Sequence, residues 1–133
     1  MKSLLDRLVS QDIEERIKAT YEVTKDDIKR DFSVVDAMRD NLLVRDDDLL
    51  EITIMRLGLR ANDVVSLDKI IKISESCNNP LIVGATVFAM GAIANQHKEK
   101  RQDVIVRLNS MKECAYSDPE IRGIIESEIL NLK

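Results

Sequence analysis

This chain has little of what β-rich folds, disulfide scaffolds and base-stacking sites are made from. Aromatic residues are 3% of its 133 residues and tryptophan is absent, so a site that stacks nucleobases has almost no material. Four glycines and two prolines are too few for a sandwich or barrel, whose many turns depend on those residues. Two cysteines, Cys77 and Cys114, exclude a framework of several bridges. With the lone histidine, His97, they also fall short of the roughly four ligands of a structural zinc site. The core must come from Leu, Ile, Val, Ala and Met, within an apolar share of 44%. That is enough for one ordinary domain over 1–133, and the long periodic apolar stretches argue against disorder.

Positive charge is also in deficit. The net charge is −4, a poor match for a nucleic-acid binder, which must neutralise phosphates with Lys and Arg. It suits a protein that meets a basic partner. The Met1-Lys2-Ser3-Leu4-Leu5 start lacks the apolar region of a secretory signal, because Asp6 and Arg7 interrupt it. The expectation is a complete small cytoplasmic protein with reduced thiols.

The largest local anomaly is a gap in the charge. Between Cys77 and Lys98 only His97 is titratable, and Leu81 to Ala94 is apolar on every helical face. A spanning helix needs roughly 17–25 apolar residues, and a run of about 10–14 belongs to a core helix. A helix apolar all round must be covered all round, so a stack of helices with this one in its middle is expected. Pro80 suits its first turn, and Asn79-Pro80 to Gln96 delimits it.

Helical spacing recurs elsewhere. Leu4, Leu5, Leu8 and Val9 predict a short helix, and Ile13, Ile17, Thr20, Tyr21 and Thr24 predict a second after the Ser10-Gln11-Asp12 break. Ile28, Phe32, Val35, Met38 and Leu42 predict one helix from Lys25 to about Val44. Asp46 opens a helix facing inward with Leu49, Leu50, Ile54, Leu57 and Leu59, and Asn62-Asp63 caps one carrying Val64, Leu67, Ile70, Ile71 and Ile73. Val104, Ile105, Leu108, Met111 and Ala115 define a seventh. Ser117-Asp118-Pro119 starts the last, with Ile121, Ile124, Ile125, Ile129, Leu130 and Leu132. The class is all-α, about eight helices without a strand.

The helices also repeat. A shift of 33 residues superposes Gly58-Leu-Arg-Ala61-Asn62 on Gly91-Ala-Ile-Ala94-Asn95, and brings Thr20, Thr53 and Thr86 into line. Helix pairs with periods of roughly 30–47 residues mark α-solenoids. Asp118-Pro119-Glu120-Ile121-Arg122 resembles the opening of HEAT-like repeats, and Asn79-Pro80-Leu81-Ile82-Val83 resembles it without the Arg. The resemblance implies a right-handed, α-solenoid-like stack of about four helix pairs.

No catalytic constellation is visible, so the chain reads as a binding protein, not an enzyme, without metal or cofactor. His97 has no nucleophile pattern beside it and follows a helix C-terminus among Lys98, Lys100 and Arg101. Asp46-Asp47-Asp48 lacks the Gly and distal Glu of a calcium loop and reads as a helix start. The broader acidity is more informative: residues 26–48 hold eight aspartates against four cations. Asp27/Asp31 and Asp36/Asp40 are like-charge pairs four apart, each costing roughly 0.2–0.5 kcal/mol. The expected partner-binding residues are accordingly Asp27, Asp31, Asp36, Asp40, Asp46, Asp47 and Asp48, with plain solvation of a helical surface as the competing explanation. In size, charge and expected fold the chain resembles the immunity proteins of bacterial toxin systems, which implies binding of a basic, nuclease-type toxin. A HEAT-like adaptor or assembly factor is the alternative. A HEAT-like DNA glycosylase would need a basic face and aromatics. No nucleic acid or membrane partner is expected.

Overall fold

A computed structural model describes residues 2–113 and 118–133. Among them are nine α-helices and no strand: α1 (Leu4–Leu8), α2 (Ile13–Glu22), α3 (Lys25–Arg30), α4 (Phe32–Asn41), α5 (Asp47–Leu59), α6 (Leu67–Ser76), α7 (Pro80–Gln96), α8 (Arg101–Glu113) and α9 (Pro119–Leu132). The chain is all-helical. Expectations for Cys114, Ala115 and Ser117 lie outside the described residues.

Short polar side chains set the helix starts. Ser3, Asp12, Thr24, Asp31, Asp46, Asn79 and Asp118 each accept a bond from a backbone N–H of the first turn. Pro80 and Pro119 follow their caps at positions whose N–H needs no partner. One capping aspartate alters the expected layout. Asp31 ends α3 and caps α4, so the helix expected from Lys25 to Val44 is two helices, and Phe32 is 81% exposed at the joint. Tyr21 and Leu130 also point outward, and Thr24 serves as a cap instead of an inward residue.

α7 lies at the centre, packed on α5, α6, α8 and α9, while α5 also packs on α2 and α4. Contacts thus run α2 to α5 to α7 to α9, every link made by the second helix of a hairpin. Residues 33 apart along this row share environments: Thr20, Thr53 and Thr86 are all fully buried. The Thr20 and Thr86 hydroxyls donate to Arg16 O (2.7 Å) and Val83 O (2.6 Å), whereas Thr53 Oγ1 is buried without a partner. Two glycines occupy matching joints. A Cβ on Gly58 would stand 2.5 Å from Ala89 Cα, and one on Gly91 would stand 2.0 Å from Glu128 Oε2. Gly58 therefore permits an approach of α5 and α7 that no other residue allows, whereas the space at Gly91 is filled only by the end of the Glu128 side chain.

Polar locks hold the remaining joints. Arg16 donates to Ser10 O and to Asn41 Oδ1, and buried Asn41 donates to Leu8 O (3.0 Å), tying α1, α2 and α4 together. Arg56 of α5 and Arg60, the residue that follows that helix, donate to Tyr21 O and Val23 O at the end of α2. Asn62, with φ 46°, closes α5 in the left-handed region and donates to Gly58 O (2.8 Å). Asp63 does not cap a helix side chain-first. Its carboxylate takes two bonds from Arg39 of α4, at 2.7 and 2.8 Å, and one from Ser66.

Candidate functional site

α7 is covered on all sides but one. Leu81 is 66% exposed and Phe88 37% exposed, and these residues, seven apart, share one helix face. The expectation of complete burial therefore fails along that face, because α5 and α9 flank it without meeting over it. Two depressions lie along it. The first, about 230 Å³, runs between Glu51 and Met55 of α5, Leu81, Gly84 and Phe88 of α7, and Ile121 and Ile124 of α9. The second continues it past Phe88 to Leu59, Ala92, Asn95, Glu128 and Asn131. Both are open along their length, so neither encloses a small molecule as a buried site does. The shape suits protruding side chains of another macromolecule.

The groove repeats the internal period. Glu51 and Gly84, Met55 and Phe88, and Leu59 and Ala92 are each 33 residues apart and line the same face. α5, α7 and α9 run in the same direction, since residues low in each helix line the first depression and residues high in each line the second.

Its charge is one-sided. Glu51, Asp118, Glu120 and Glu128 line the two depressions and no Lys or Arg does. The nearest arginine of α5, Arg56, is engaged past the edge, its guanidinium 5.6 Å from the Tyr21 ring centroid and donating to Tyr21 O. Asp118 is occupied in capping α9. Glu128 is not occupied: its half-buried carboxylate lies over the vacant side of Gly91, with no hydrogen bond or ion pair among the described residues. Burial pushes its pKa above the ordinary carboxylate value, because the charged form loses solvation. A carboxyl whose pKa is raised on folding contributes stability at low pH that is lost as pH rises through the folded value. Glu128→Gln should therefore melt slightly above wild type at pH 8, with the gap closing towards pH 4. A wild type more stable than the variant at pH 8 would show that the carboxylate has a partner.

The seven aspartates expected as a partner surface divide by role. Asp27 forms a capping box with Thr24, Asp31 caps α4 and Asp46 caps α5. Asp36 accepts from Arg39 (3.0 Å), and Asp47 accepts from Asn79 Nδ2 (3.0 Å), the residue that caps α7. Asp40 and Asp48 are exposed and have no partner among the described residues. Each capping aspartate satisfies first-turn N–H groups, which accounts for part of the acidity without a partner protein.

Comparison of the chain with protein-family models, with curated proteins and with solved structures gives no match. The site must be read from its own chemistry. His97 Nε2 stands 3.1 Å from Asn62 O and Nδ1 3.6 Å from Glu99, contacts that hold the turn after α7. Among the described residues no group of three or more His, Cys, Asp or Glu is placed to hold a metal ion, and no helix is long and apolar enough to cross a membrane.

Glu51, Met55, Leu81, Gly84, Phe88 and Glu128 were not singled out by reading the sequence for function. Leu81 and Phe88 look like core in an apolar run. A glycine in mid-helix, aligned at 33 residues with Glu51 of an amphipathic helix, was the signal that this face is open.

Proposed function

We propose that this chain is a non-catalytic protein-binding module of HEAT-like helical repeats, a single domain that stacks about four helix pairs. In this reading its partner is a basic protein surface, and it acts as an immunity protein does, by covering a nuclease-type toxin in the cytoplasm. The observation that carries it is the open face of α7, which shows apolar Leu81 and Phe88 between four carboxylates and no cation. Apolar surface rimmed by polar residues marks interaction sites, and a rim of one charge sign favours a partner of the other. The exposed carboxylates of Asp40 and Asp48 carry the same charge sign and would help to steer a cationic partner. The equal burial of Thr20, Thr53 and Thr86 supports the repeat reading.

A toxin inhibitor is encoded beside its toxin. The test is to co-express this chain with the C-terminal domain encoded by the gene directly upstream. A stable complex in which that domain loses its nuclease activity is expected. Its formation should slow as salt rises, since exposed charges are screened over about 8 Å at physiological ionic strength. Asp40→Lys with Asp48→Lys should slow it as well while leaving the melting temperature within a few degrees. A complex without inhibition would leave an adaptor, and no complex would overturn the toxin-inhibitor reading.

A further inference from the structure

Gly84 is a residue without a structural reason. Glycine inside a helix costs roughly 0.5–1 kcal/mol relative to alanine, because the unfolded chain loses more freedom on folding. Gly58 offsets that cost by letting α5 and α7 approach, and Gly91 leaves room for the Glu128 side chain, but a Cβ on Gly84 would meet nothing within 4 Å. The space above it is the floor of the first depression. What the missing side chain provides is room, at the midpoint between Leu81 and Phe88. Glu128 supplies the second, independent irregularity: a half-buried carboxylate kept without a counter-ion, on the wall of the same groove.

We propose that the groove of α7 receives a cationic amphipathic helix, whose apolar side chains seat on Leu81, Gly84 and Phe88 and one of whose Lys or Arg side chains pairs with Glu128. This rests on the protein-binding reading above and names the occupant. The groove spans Leu81 to Asn95, about 21 Å along a helix axis, which is the reach of four turns. It lies between two parallel helices, so a further helix packs there by the same ridge-and-groove geometry. There is no sheet edge among the described residues for an extended peptide to join. Charge selects the chemistry. A cation delivered to Glu128 relieves the desolvation of its carboxylate, and Glu51 and Glu120 sit where flanking cations would land. A second copy of this chain is disfavoured, because self-pairing through this face brings those glutamates against their own equivalents.

The experiment uses the full chain and a fluorescein-labelled peptide of about 18 residues, roughly five turns, of Leu and Lys at helical spacing. Anisotropy should report binding to wild type, with far weaker binding of the same composition in scrambled order, which has no apolar face. Gly84→Leu puts a side chain over the floor, its Cβ meeting nothing within 4 Å, and should weaken binding at least about tenfold, while the melting temperature stays level or rises. Glu128→Gln should weaken it by about fivefold, the scale of one partly buried ion pair, without loss of stability. A folded Gly84→Leu variant that binds like wild type overturns the proposal, and so does equal binding of the scrambled peptide, which would be charge alone. Self-association of the unliganded chain that Gly84→Leu abolishes would assign the face to a second copy and overturn it too. Undiminished capture of the upstream-encoded toxin domain by Gly84→Leu would overturn this site and leave the toxin-inhibitor reading standing.

Discussion

Ala89→Asp is expected to leave the protein unfolded, while Phe88→Asp, one residue earlier on the same helix, leaves it folded. Ala89 has no exposed surface and stands against Gly58, close enough that a Cβ on that glycine would come within 2.5 Å of it. A carboxylate there has neither room nor a counter-charge. Burying such a charge costs several kcal/mol, against a total stability of about 5–15 kcal/mol for an ordinary domain. Phe88 faces the groove, so its replacement forfeits only part of an aromatic burial, about 1–2 kcal/mol, and the new charge is solvated. Gly58→Val probes the same joint from α5 and should be destabilising by about 2–3 kcal/mol, since overpacking here strikes backbone. Urea unfolding followed by circular dichroism measures all three. Coincident transitions for the Ala89 and Phe88 variants would mean that α7 has no open face. Asn62→Asp keeps the left-handed φ, which Asp also tolerates, but is costly because it replaces the donor to Gly58 O with a carboxylate at the negative end of α5.

The second large effect is at Arg39. Its guanidinium is the only cationic partner of Asp63 among the described residues, and Asp63 is 8% exposed. Arg39→Met keeps much of the stem packing and removes the charge, leaving a buried carboxylate with Ser66 alone among side chains. Arg39 is itself one-third exposed, so losing the pair costs about 2–3 kcal/mol, less than for a fully buried pair. For a chain of this size that is a fall of about 7–10 °C in Tm. The pH dependence gives a sharper check. Burial pushes the Asp63 carboxyl up, but the bonds from Arg39 and Ser66 outweigh it and hold the folded value below the ordinary one. The pair therefore contributes stability above the ordinary carboxylate range and loses it as pH falls through that range. In Arg39→Met only the bonds from Ser66 and the Val65 backbone still oppose burial, so the carboxyl lies higher than in wild type and less stability is lost as pH falls. The gap between wild type and variant should be wide at pH 7 and narrow towards pH 3. A gap that does not change with pH would mean that Asp63 is not charged in the folded protein. Adding Asp63→Asn to Arg39→Met should restore part of the loss, because the uncompensated charge is then gone.

Much of the architecture was legible in the residues. Apolar spacing marked the helical segments, and local chemistry marked their ends: Asn79-Pro80, Asp118-Pro119, Asp46 and Asp12 cap as their types imply, because a cap is a bond between neighbours in sequence. The break at Asp31 was missed since Phe32 continues an apolar stripe that a solvated phenylalanine mimics. The role of Asp63 was missed for a different reason. Its partner Arg39 is 24 residues away, and no local pattern distinguishes a capping aspartate from one held by a distant guanidinium.

The candidate site shows the same division. Composition and spacing determined that the chain is helical and acidic, and they placed Thr20, Thr53 and Thr86 in one 33-residue register, since both depend on which residues are present and where. Which face of an all-apolar helix stays open cannot be read that way. Leu81 and Phe88 are no different in type from Ile82 and Val87, and only the placement of α5 and α9 on either side of them leaves the first pair exposed and the second buried. Likewise Glu128 is an ordinary surface glutamate until the packing of α9 on α7 lays it over Gly91. Exposure and desolvation are properties of neighbours brought together from far along the chain, and so only the tertiary structure decided them.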